Sequence, residues 1–132
     1  MKRRYAALAL VAALLSNAPV YAHHSFGGTY NVDQKITITG KIAQVTLRSP
    51  HSFLYVEVQN ADGSVERWTI EGAAASQFAQ QGIDKDAFKV GDPVEVVGNP
   101  SRSPNATRAR LIKITRTTDG KSWGGGAGEV VN

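Results

Sequence analysis

Between Lys35 and Leu47 the chain alternates apolar and polar residues with period two, and partway along the alternation changes phase. Ile36, Ile38, Gly40 and Ile42 share one parity and Lys35, Thr37, Thr39 and Lys41 the other, whereas Val45 and Leu47 fall on the opposite parity from Ile42. Period two marks a half-buried strand. A phase slip close to a glycine predicts a bulge that bends one long strand so that it serves two sheets, as the strands of small barrels do.

The rest of the chain fits that beginning. After the turn at Ser49-Pro50-His51, strands are expected at 53–59 and 65–71, joined by the hairpin turn Asn60-Ala61-Asp62-Gly63. An alanine-rich helix is expected at 73–81, with Gly82 as its C-terminal stop and Phe78 as its anchor in the core. Gly91-Asp92-Pro93 turns into a strand at 93–98, and a Pro- and Ser-rich loop leads to a last strand at 108–116. Three strands, one helix and two strands, with a long bent first strand, is the layout of a five-stranded OB-like barrel, an all-β fold with one short helix.

The first 22 residues stand apart. Lys2-Arg3-Arg4, the apolar run Ala6 to Leu15 and a short stretch ending Val20-Tyr21-Ala22 form the three regions of a cleaved signal peptide. An apolar run of about ten residues is too short to span a membrane. The expected product is periplasmic, with no membrane anchor after processing. Three of the fifteen Lys and Arg lie in this leader and all eleven acids lie beyond it, so the remainder carries a net charge of only +1. The basic isoelectric point near 9.6 therefore belongs largely to the leader, and nucleic acid is not an expected partner. The chain has no cysteine, which excludes disulfides, thiol redox chemistry and Cys-based metal sites. The expected organisation is a signal peptide at 1–22, an N-terminal extension at 23–34, the barrel at 35–117 and a flexible tail at 118–132 in which Trp123 can fold back.

Cleavage after Ala22 would make His23 the first residue. A free α-amine beside its own imidazole offers two nitrogens to a metal once both are deprotonated. His23, His24 and His51 are the chain's three histidines. An extended 23–34 segment reaches roughly 40 Å at about 3.3 Å per residue, enough to meet His51 in the loop after the first strand. The resulting nitrogen-rich set suits copper, as in a histidine brace. The competing reading is a mobile polar end with incidental metal affinity.

A second cluster follows from the topology. Arg48, His51, Glu71 and Asn105 are expected at one end of the barrel, where OB domains bind ligands. There Glu71 could orient the second nitrogen of His51, or else pair with Arg48. Trp68, Phe53 and Tyr55 offer either stacking surfaces or core packing. Arg102, Arg108, Arg110, Lys113 and Arg116 gather toward the last strand. No nucleophile motif, phosphate loop or pair of catalytic carboxylates is present.

His23-His24-Ser25-Phe26, Pro50-His51, Trp68 with Glu71, and Gly91-Asp92-Pro93-Val94 through Gly98 together resemble a family of short exported proteobacterial proteins of uncharacterised function. The pattern departs at Ser49, where members have Asn. The resemblance implies a Gram-negative periplasmic protein and leaves its activity open. The expected function is a small periplasmic binding protein, not an enzyme, that takes a transition metal such as copper at His23, His24 and His51. A metal-free interaction module that docks a periplasmic protein or an extended ligand is the alternative, and a histidine-brace oxidative enzyme the third reading; the expected partner is a periplasmic protein or small ligand.

Overall fold

The computed structural model describes residues 26–124. The expected leader, His23 and His24 lie outside the described residues. In chain order the elements are α1 (Phe26–Thr29), β1 (Ile36–Thr46), β2 (Phe53–Gln59), β3 (Val65–Glu71), α2 (Ala75–Gln80), β4 (Pro93–Pro100), β5 (Arg108–Arg116) and β6 (Ser122–Gly124).

β1 does what its sequence requires. Its first half, Ile36 to Lys41, pairs antiparallel with β4, and its second half, Lys41 to Thr46, pairs antiparallel with β2. The register with β2 shifts between Ile42 and Gln44, so Ala43 is the extra residue that reverses the side-chain parity and bends the strand. Gly40 stands at this bend because a Cβ there would overlap the carbonyl oxygen of Glu57 on β2. β2 pairs antiparallel with β3, and β4 with β5. A parallel pairing of Thr69–Glu71 with Arg108–Arg110 closes the ring, giving the five-stranded OB barrel.

The barrel is filled from all five strands. Ile38 and Ile42, Leu54 and Val56, Ile70, Val94 and Val96, and Ala109, Leu111 and Ile114 form one cluster. Phe78 of α2, with Ile83 and Phe88 from the segment after it, joins the cluster and completes its packing. α2 is shorter than the expected 73–81 and ends where Gly82 takes a positive φ of 77°. Gly63 turns the β2–β3 hairpin with φ 85°.

Two expectations about the ends are corrected. Residues 118–132 were expected as a flexible tail, but Ser122–Gly124 form β6 on the edge of β5, opposite Lys113 to Thr115. The reason is Trp123, whose ring meets Phe88 edge-on at 4.7 Å and lies under the Arg116 guanidinium, whose Cζ is 5.5 Å from the ring centroid. Arg116 also holds Asp119 through two hydrogen bonds of 2.7 and 3.1 Å, which fixes the turn before β6.

The segment before β1 is likewise not an extended arm over its described part. Tyr30 bridges to Ser101 and is fully buried, yet it lies outside the barrel cluster, in a second small packing layer. The buried Asn99 amide donates to the carbonyls of Val32 and Gln34 at 3.2 and 2.7 Å. Arg102 ties the same segment down through its backbone N–H to Thr29 and its Nε to Gly27.

Candidate functional site

The loop between β1 and β2 is stitched to the end of β3, and this places His51. Ser52 is buried, its N–H donates to the Ala73 carbonyl and its own carbonyl accepts from Gly72, both within 2.9 Å. Its hydroxyl lies 3.2 Å from the Arg48 carbonyl, closing the loop, and the Ser49–Pro50 peptide is cis. His51 thus stands beside Glu71, with Nδ1 3.7 Å from the Glu71 Oε1. That separation is an ion-pair distance and too long for a hydrogen bond. Nδ1 is shielded from solvent and has no hydrogen-bond partner among the described residues, while the side chain as a whole is 37% exposed.

Glu71 makes its hydrogen bonds elsewhere. The Tyr30 hydroxyl donates to it, the Arg108 Nη2 donates at 2.5 Å, and the Arg108 Nε donates to the Tyr30 oxygen at 2.7 Å. Burial alone would raise the Glu71 pKa, but hydrogen bonds from Tyr30 and Arg108, with the charges of Arg108 and His51, outweigh it and hold the carboxyl below its ordinary range. Burial first, and then the bond to Glu71, pushes the Tyr30 hydroxyl well above the usual phenol range. The cluster is therefore a buried carboxylate clamped by a neutral phenol and a cation, with an imidazole at its edge.

The expected cluster of Arg48, His51, Glu71 and Asn105 forms only in part. His51 and Glu71 meet, but the Arg48 guanidinium lies over the Phe53 ring at 5.0 Å and does not pair with Glu71. Asn105 is an exposed turn residue with φ 60° and contributes no hydrogen bond there among the described residues. The cation at Glu71 is Arg108, brought to it by the parallel β3–β5 pairing. Neither Arg108 nor Tyr30 was expected at this site. A large aromatic four residues after Phe26, in a segment of mostly small and polar residues, was the available signal for Tyr30.

Phe26 completes the layer. Its ring meets His51 edge-on with centroids 5.5 Å apart, lies 6.4 Å from Tyr30, and is covered by the Arg110 guanidinium at 4.3 Å. Of the basic residues toward β5, Arg102, Arg108, Arg110 and Arg116 are thus engaged with neighbours. Phe53 and Tyr55 face outward, whereas Trp68 packs against the barrel core. Among the described residues no three His, Asp or Glu side chains group closely enough to hold a metal. Among them, too, no helix is long and apolar enough to cross a membrane.

Comparison with curated proteins finds no match. Among solved structures, the chain is similar to the N-terminal domain of PriB from Thermoanaerobacter tencongensis, determined as a dimer. Identity is 18%, covering 63% of this chain and 94% of that one, with a TM-score of 0.43. A family model matches residues 10–110, which takes in the segment carrying Phe26 and Tyr30, the His51 loop, the strands β1 to β4 and the start of β5. The chain belongs to that family, the family of unknown function DUF6152.

Proposed function

We propose that the protein is exported to the periplasm, is cleaved between Ala22 and His23, and binds Cu(II) through the new α-amine, the imidazoles of His23 and His24, and His51. One observation carries this reading: Phe26 is seated against His51, with ring centroids 5.5 Å apart. His24 and His23 lie two and three positions before Phe26, a span of at most about 10 Å of extended chain. Both histidines are therefore within reach of His51. Glu71 stands on the Nδ1 side of the ring at 3.7 Å, which leaves Nε2 as the nitrogen facing away from the carboxylate. Nε2 is then the coordinating atom. Imidazole and amine nitrogens favour Cu(II) over Zn(II) in the general affinity order.

Calorimetric titration of the processed protein tests this. One Cu(II) per chain is expected near neutral pH, with weaker binding as pH falls and protons compete for the nitrogens. A residue added before His23 should weaken binding by about a hundredfold, and His51→Ala by about tenfold. Equal affinity in all three forms overturns the reading, as does an intact mass showing that the exported chain begins elsewhere.

A further inference from the structure

A second face of the barrel carries a different chemistry. Phe53 and Tyr55 alternate with the buried Leu54 and Val56 on β2, so both rings point away from the core. Their cross-strand neighbours are Thr46 and Gln44 on β1 and Glu71 and Thr69 on β3. Each ring carries a guanidinium: Arg48 lies 5.0 Å from the Phe53 centroid and Arg67 lies 4.9 Å from the Tyr55 centroid. Both arginines are exposed.

This stacking decides what the face offers to a ligand. A ring already covered by a cation presents no open π-surface to a base or sugar. What it presents is a guanidinium whose N–H donors lie beside the ring. Arg67 gives one donor to the Gln44 side chain at 3.0 Å. Among the described residues the Arg48 guanidinium has no acceptor, and Glu57, opposite Arg67 in register, forms no ion pair with it. Two exposed donor forks therefore stand on this face with no ion-pair partner among the described residues, beside Glu57, which lies opposite Arg67.

The spacing of the two rings and the overall charge narrow the ligand. Phe53 and Tyr55 are two residues apart on β2, about 6.7 Å along the strand, which is also the spacing of alternate side chains in an extended peptide. Acidic residues at alternate positions of such a peptide can each meet one fork, in the geometry guanidinium and carboxylate groups favour. A polyanion such as nucleic acid draws its affinity from an extended positive field, and a net charge of +1 beyond residue 22 supplies none. We infer that the outer face of β2, bounded by Arg48 and Arg67, binds an extended acidic segment of a partner protein. The inference does not involve the amino terminus or His51, so its outcome is separate from that of the copper reading.

Fluorescence anisotropy on the metal-free full chain tests it, with a labelled eight-residue peptide of alternating Glu and Ser as the probe. Arg48→Gln and Arg67→Gln should each weaken binding by about fivefold, and the double variant by about twentyfold or more. Lys35→Gln, which removes the same charge before the opposite end of β1, should change it less than about twofold. Far-ultraviolet circular dichroism should be unchanged in all variants, because both arginines are exposed. Absence of peptide binding overturns the inference, and so does an equal loss with Lys35→Gln. So would tighter binding of a twelve-residue oligothymidylate that the same arginine variants abolish, since that would make the face a nucleic-acid site.

Discussion

Glu71→Ala is expected to lower the stability of the metal-free protein by about 3 kcal/mol at neutral pH, one of the largest effects of any polar substitution in the chain. The carboxylate is nearly buried and accepts from the Tyr30 hydroxyl and from Arg108. Its removal leaves a buried phenol without its acceptor and a cation without its counter-charge. Arg108 is 43% exposed at its side chain, so water compensates part of the loss, which keeps the figure at the low end for a broken buried pair.

Glu71→Gln separates charge from shape and carries the pH dependence. Glu71 titrates below its ordinary range in the folded protein, so its contribution is fully present above the unfolded carboxylate value and is lost as pH falls through the folded one. The stability gap between the native chain and Glu71→Gln should therefore be widest near neutrality and should narrow as pH falls below the ordinary carboxylate value of 4.5 and on through the lower folded one. Asp119, drawn down to about 2 first by its hydrogen bond from Arg116, is retained in both proteins and cancels from the difference. Thermal unfolding of the two chains at several pH values checks this. A gap that stays constant on acidification would show that Glu71 contributes by packing alone.

Phe78→Ala should cost about 4 kcal/mol, the largest core effect expected. Phe78 is 1% exposed, and its ring packs so closely against Gly72 that a Cβ there would come within 2.5 Å of it. α2 has only 6 residues, too few to be stable without its packing, so the anchor holds the helix as well as filling the core. Urea unfolding should show the loss as a lower midpoint, with exchange protection falling first in 75–83. A loss below about 1 kcal/mol would mean that the helix does not complete the core.

Phe78 was legible because a single large apolar residue in an alanine-rich segment ended by glycine has few other roles. The bulge at Ala43 was legible for a similar local reason: a change of parity in a strand leaves a visible trace in the order of residues. The site was less so. Glu71 and Arg108 are 37 positions apart and meet only through a parallel pairing that closes the barrel, which no local pattern encodes. Arg48 was the nearer candidate along the chain, but its flat guanidinium finds the Phe53 ring instead. Tyr30 was hidden by its surroundings, since two glycines and polar residues read as a loose arm until the backbone contacts to Pro100 and Ser101 are known. At β6 the return of Trp123 was legible but the strand was not, because the glycine-rich sequence after it carries no alternating pattern.

Whether the amino terminus and His51 share one metal is read most directly by pulsed electron paramagnetic resonance of the processed protein loaded with one Cu(II). Coordinated imidazoles modulate the signal through their remote nitrogens, and the number coordinated can be counted from the depth of the modulation. The expected result is a nitrogen-rich Cu(II) centre that loses one imidazole on His51→Ala and collapses to a different spectrum when a residue precedes His23. A spectrum identical in the native protein and in His51→Ala would contradict the shared site and leave the copper on the amino-terminal histidines alone.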